Sequence, residues 1–179
     1  MTMKPGLRKL ALSAHLTFSV GWIGTVVVYL ALGLLATNNS DVANVRGAWM
    51  AMELIGWYVI VPLAVASFLT GLVMALGTKW GLFRHYWVSI SFFLTLFATV
   101  ALILHMPSVS STAEVARTAE GELLESLGGD LQHPAIGLVI LLVIQVLNIY
   151  KPKGLTHYGW RRQQEERAGS DAGNSGSSL

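Results

Sequence analysis

The chain reads as an all-α protein: a membrane-embedded antiparallel four-helix bundle with a short extracytoplasmic amphipathic helix. Three observations predict this. Of 179 residues, 53% are apolar and only 12% are charged, about half the charged share of an average soluble domain. The apolar residues gather into four long blocks separated by short polar stretches, the pattern of bilayer-spanning segments. Lys and Arg are also distributed unevenly among the connections, which is the sign of a fixed membrane orientation.

The first block, residues 10–36, is interrupted by His15 and a few Ser, Thr and Tyr. It is long enough to cross with some tilt, and far longer than the roughly 7–15-residue apolar core of a secretory signal peptide. Thr37-Asn38-Asn39-Ser40-Asp41 closes it as a turn. The second block, residues 49–77, contains Pro62, which frees the carbonyl of Tyr58 and predicts a kink. The third, residues 86–106, is expected to stop at Pro107. The fourth, residues 134–150, is the shortest and opens on Pro134, which suits the first turn of a helix. Residues 1–160 therefore form one transmembrane domain. Residues 161–179, rich in Gly, Ser, Asn and Asp from Gly169 onward, have no apolar face there and are expected to be a disordered cytoplasmic tail.

The connection between the third and fourth blocks is long for an inert loop. It carries Ser111-Thr112-Ala113-Glu114, a capping-box pattern, and Gly128-Gly129 as a stop. Between them Val115, Ala119, Leu123 and Leu127 recur at helical spacing. These features predict an acidic amphipathic helix from Ser111 to Leu127 lying over the outer mouth of the bundle.

Orientation follows from the basic residues. Lys4, Arg8, Lys9, Lys79, Arg84, Lys151, Lys153, Arg161, Arg162 and Arg167 fall on one side, and Arg46 and Arg117 on the other. The richer side is cytoplasmic by the positive-inside rule, so both termini face the cytoplasm of a multi-pass protein in a bacterial plasma membrane. Trp80, Tyr86, Trp87 and Tyr150 then mark the inner interface and Trp49 the outer one. The lipid bilayer is the expected partner, with a homo-oligomer or a larger membrane complex left open. No basic motif of the kind that reads nucleic acid is present. Internal repeats, the basis of many secondary transporters, are absent.

The chain has no cysteine, which excludes disulfides, thiolate metal sites and cysteine nucleophiles. Any metal must be held by His, Met, carboxylates or backbone oxygens. Ionisable groups at membrane depth are costly and are functional candidates by default, and here they fall at two levels. At the outer level lie Glu53, His105 and His133, with Met50, Met52 and Met106 at the same height. Two imidazoles from consecutive antiparallel helices can ligate a haem b iron axially. With Glu53 and the thioether of Met52 or Met106 they can instead hold copper. The competing reading is two interfacial histidines bonded to water and phosphate.

At the inner level, His15 shares a helix face with Ser19, Trp22, Tyr29 and Gly33. That face belongs in the bundle interior, which makes His15 a candidate haem ligand, proton relay or metal ligand. The bland alternative is a hydrogen bond to Gln145 or Asn148 on the fourth helix. His85 and His105 are 20 residues apart, about 30 Å along a helix and roughly 200° around it, so one face of the third helix cannot carry both. No nucleophile–base pair or paired carboxylates fall inside the bundle, and catalysis is the least favoured role.

Ala14-His15-Leu16 followed by Gly21-Trp22-Ile23-Gly24, then Ala51-Met52-Glu53-Leu54-Ile55-Gly56-Trp57, resembles a family of uncharacterised four-helix integral membrane proteins of actinobacteria. The run from Gly77-Thr78-Lys79-Trp80-Gly81 to His85-Tyr86-Trp87 and the closing Tyr150-Lys151-Pro152-Lys153-Gly154 match the same pattern, from about His15 to Trp160. More distantly, the early His followed by Trp-x-Gly is similar to the CopD-like copper-resistance membrane proteins. That resemblance implies His and Met residues in a helical bundle associated with copper passage, although Met residues are fewer here. The open roles are therefore haem or metal binding, copper handling, or a non-catalytic accessory subunit of a membrane complex.

Overall fold

A computed structural model describes residues 3–39, 41–78, 81–120 and 127–175. Helix α1 spans Pro5–Asn38 and has a proline in its first turn. Helix α2, Val42–Ile55, starts at Asp41, whose carboxylate accepts the Ala43 N–H at 3.0 Å. It continues without a break through a π-helical turn, Gly56–Ile60, into α3, Val61–Gly77. Helix α4 covers Tyr86–Thr118, α5 Gln132–Tyr150 and α6 His157–Ser175.

The π turn sits one turn ahead of Pro62, where proline's ring would clash with the carbonyl of Tyr58 and its missing N–H leaves that carbonyl without a donor. Widening the preceding turn relieves the strain, and Val61 N–H bonds the carbonyl of Gly56, five residues back. The distortion expected from the proline is thus a π bulge.

The bundle is square in cross-section. α1 packs on α2, α3 and α5, and α4 packs on the other sides of α2, α3 and α5. Among the described residues, the start of α1, the end of α3, the start of α4 and the segment between α5 and α6 meet at one end, here the terminal end. Met3 N–H bonds the Gly77 carbonyl at 3.0 Å, and Thr156 N–H bonds that of Arg84 at 3.1 Å. Four helical segments, of 34, 36, 33 and 19 residues, are long and apolar enough to cross a membrane. Leu104, Phe97, Val139 and Ile149 are among the many large apolar side chains exposed on the outside, a surface that suits lipid and not water.

The three longer segments extend about 50 Å, against roughly 30 Å of hydrocarbon, and part of the excess lies at the far end. There α2 and the distal part of α4 form an antiparallel pair. Met52, Met106, Val45 and Val109 fill its seam, and the fully buried Ala113 and Ala116 allow close backbone approach.

This pair corrects two expectations. Pro107 does not end the third crossing, because α4 runs through it to Thr118; packing on α2 outweighs one lost backbone bond. Ser111 is not an N-cap. It lies inside α4, and its hydroxyl donates to the Ser108 carbonyl at 2.8 Å. The separate outer helix is therefore replaced, over residues 111–118, by the continuation of α4, and residues 121–126 lie outside the described residues. The α4 terminus is capped by Arg46, whose Nε and Nη2 donate to the carbonyls of Ala116 and Ala119 at 3.0 and 2.9 Å. At the terminal end, α6 covers His157–Ser175, and with it part of the stretch read from the sequence as a tail; residues 176–179 lie outside the described residues. The first half of α6 contains Arg162, Gln163, Gln164 and Glu165, good helix formers that carry the helix onward.

Candidate metal centre

At the far end, where α5 begins beside α4, the connecting residues 128–131 are clamped to the bundle. Gly128 has a φ of +56°, a left-handed conformation that glycine adopts without strain, and its carbonyl accepts the Trp49 indole N–H at 3.0 Å. Gly129 lies directly on the backbone of α1 at Gly33, and a side chain on either glycine would separate the two segments. On the other side of this contact, a Cβ on Gly33 would come within 2.7 Å of the Asp130 carbonyl oxygen.

This clamp fixes Asp130 two residues before the first turn of α5, where the positive end of the helix dipole favours a carboxylate. The Asp130 side chain gathers three partners. Tyr29 donates its hydroxyl to Oδ2 at 3.1 Å. His105 Nε2 lies 2.6 Å from the same oxygen, and His133 Nδ1 lies 3.5 Å from Oδ1. The two imidazoles stack with ring centroids 3.9 Å apart and planes 22° from parallel. One ligating atom from each of His105, Asp130 and His133 falls within 4.8 Å of the others. Exposure rises from 9% at Asp130 through 20% at His105 to 63% at His133, so the cluster opens to the far-end surface on its His133 side.

Chemically this is a two-nitrogen, one-oxygen donor set with room for exogenous ligands. Such a set suits a divalent transition metal of borderline softness. The Tyr29 hydroxyl is the kind of outer hydrogen bond that orients a ligating carboxylate.

The structure brings His105 and His133 together as their positions on consecutive helices suggested, but it does not assemble the rest of the expected ligand set. Glu53 is taken by Arg117 at 2.5 Å, which also holds Glu114 at 2.5 Å; the continuation of α4 past Pro107 delivers that guanidinium. Met52 and Met106 are buried in the hydrophobic core, with the Met106 thioether against Gly56. The ring placement differs from that of an axial haem pair. Two imidazoles on one iron need their nitrogens about 4 Å apart across the macrocycle, whereas these rings stack face to face at 3.9 Å. Asp130 went unrecognised in the sequence, although Asp-x-x-His just after a diglycine turn places both residues on one side of a helix start.

His15 lies near the terminal end. Its Nδ1 is 3.1 Å from both the Ser67 carbonyl and the Thr70 hydroxyl oxygen, so its partners are on α3, not Gln145 or Asn148 of α5. Those two residues line a cavity together with His15. The shared face of α1 is as expected: Trp22, Tyr29 and Gly33 are buried, and Ser19 Oγ meets Ser67 Oγ at 2.8 Å. His85 is the N-cap residue of α4, with its ring near Trp87, and it is not among the residues around that cavity.

No protein-family model matches this chain, and no curated protein or solved structure is significantly similar to it.

Proposed function

We propose that this chain is a multi-pass protein of a bacterial plasma membrane, with both termini in the cytoplasm, that captures a divalent transition metal at its outer face. Copper(II) is the foremost candidate. The observation that carries the reading is the convergence of His105, Asp130 and His133 on one point. Imidazole nitrogen and carboxylate oxygen bind divalent copper most tightly of the first-row series, and more tightly than zinc. Three protein ligands leave a coordination position open, which favours exchange of the ion over its permanent burial. The exposed His133 imidazole gives the ion a path from the surface. Asp130, held by Tyr29, supplies the negative charge that offsets the cation.

The topology rests on the ten-to-two distribution of Lys and Arg and would put the cluster on the extracytoplasmic side. The test is equilibrium dialysis of detergent-purified protein against Cu²⁺ and Zn²⁺, followed by metal analysis. Wild-type protein retains about one equivalent, and the combined His105→Ala and His133→Ala variant retains none, while His15→Phe binds as wild type does. Metal retained by the double variant would refute the assignment. A reporter fused at Gly169 that reads out as extracytoplasmic would refute the orientation.

A further inference from the structure

In the half of the bundle nearer the terminal end, all four crossings enclose a cavity of about 400 Å³, within the range of small-molecule sites. Its walls are mostly apolar and include Trp22, Phe68 and Phe92; among the described residues no carboxylate lines it, and Lys151 is the one charged side chain that does. Besides the amides of Gln145 and Asn148, two polar groups on this wall, on α1 and α4, have bonding capacity to spare.

The first is His15. Thr70 donates its own hydroxyl hydrogen to the Ala66 carbonyl at 2.7 Å, so towards His15 its oxygen is an acceptor. The Ser67 carbonyl is an acceptor only. His15 Nδ1, 3.1 Å from both, therefore carries the proton, and in the neutral ring Nε2 holds the free lone pair. The second is Ser91, whose Oγ is buried and makes no hydrogen bond. On the same helix, Thr95 and Thr99 return their hydroxyls to the carbonyl four residues back. Ser91 does not, and a buried hydroxyl without a partner is costly. His15 and Ser91 thus offer the cavity an acceptor and a donor inside a mostly apolar, partly aromatic shell.

We propose that this cavity binds a neutral, lipid-soluble hydroxylated ring of the quinol type, with its hydroxyl donated to His15 Nε2 and an oxygen accepting from Ser91. A cationic ligand would find no carboxylate among the described lining residues to offset it in a low-dielectric site, where Lys151 is the one charged side chain. A flat ring matches the Trp22, Phe68 and Phe92 walls. The route in is from the lipid. Leu12 and Leu16 of α1 and Ile149 of α5 line the cavity and are also exposed on the outside of the bundle, so the opening lies between α1 and α5. The proposal is independent of the metal centre, with which it shares no residue.

The test is titration of the detergent-purified protein with decyl-substituted benzoquinol, read by quenching of tryptophan fluorescence, since Trp22 and Trp87 line the cavity. Wild type gives saturable quenching. Ser91→Ala, which removes an unpartnered hydroxyl and leaves the fold intact, weakens binding by roughly 3- to 10-fold. His15→Phe, which keeps a ring but no nitrogen, weakens it by more than about 10-fold. His105→Ala leaves it unchanged. Quenching that does not saturate, or that is identical in wild type and Ser91→Ala, overturns the proposal. So does a haem absorption band in the wild type that His15→Phe abolishes, which would assign the cavity to haem.

Discussion

Replacing Gly33 by Ala tests whether the position of Asp130 governs the metal centre without touching any ligand. A methyl group at Gly33 would stand 2.7 Å from the Asp130 carbonyl oxygen and 2.9 Å from a Leu131 methyl. Ordinary contact begins near 3.4 Å, so the connecting backbone must retreat by about 0.7 Å, a little more if it moves obliquely. The carbonyl belongs to the residue that bridges both imidazoles, and a shift of that size takes the 3.1 Å Tyr29–Asp130 bond past hydrogen-bonding range. Overpacking of this kind costs about 1–3 kcal/mol. Misplacing a ligand and losing its outer hydrogen bond costs roughly 10- to 100-fold in metal affinity. Gly24→Ala is the control: it lies on the same helix, its Cβ would meet nothing within 4 Å, and it gains the same helix propensity. Isothermal titration with Cu²⁺ and thermal unfolding of both variants in one detergent give the comparison. Gly33→Ala binding copper as tightly as Gly24→Ala would refute the reasoning, because the ion would then be indifferent to Asp130.

Arg46→Ala removes both guanidinium bonds to the α4 terminus and is expected to lower stability by about 1.5–3 kcal/mol, measured by thermal unfolding; Arg46→Lys restores only part, since an ammonium lacks the fork. Glu53→Gln breaks a partly exposed ion pair with Arg117 and should leave thermal stability nearly unchanged, since exposed ion pairs contribute little. The same variant should bind metal with wild-type affinity in dialysis; loss of the metal would return Glu53 to the ligand set. Metal affinity should fall on acidification, because protons compete with the metal for the imidazole nitrogens, and titrations at several pH values measure the slope. A flat profile would argue against histidine ligation.

The four crossings could be read from the sequence because lipid demands long apolar blocks, and that signal survives any detail of packing. The interior face of α1 was equally legible: helical periodicity alone aligns His15, Ser19, Trp22, Tyr29 and Gly33, and all of them face the bundle or its cavity. What escaped depended on contacts between distant segments. Pro107 is a helix breaker by local rules, yet the seam of Met52, Met106, Val109, Ala113 and Ala116 holds α4 together beyond it. That continuation carries Arg117 to Glu53 and so keeps Glu53 out of the His105–Asp130–His133 cluster. Asp130 was hidden for a related reason. Its role comes from the Gly33–Gly129 contact and from Tyr29, which is 101 residues away in the chain, and a lone Asp in a loop announces none of this. The His105–His133 pairing needed only that consecutive antiparallel helices be neighbours, and it emerged from the sequence for that reason.

X-ray absorption spectroscopy at the metal edge of copper-loaded, detergent-purified protein tests the central claim most directly. The account predicts a first shell of nitrogen and oxygen only, at roughly 2.0–2.2 Å, with outer-shell scattering from two imidazoles. One of these should be lost in His105→Ala and the other in His133→Ala. A sulfur shell near 2.3 Å, which would bring Met52 or Met106 into the site, or a spectrum unchanged by both substitutions, would contradict it.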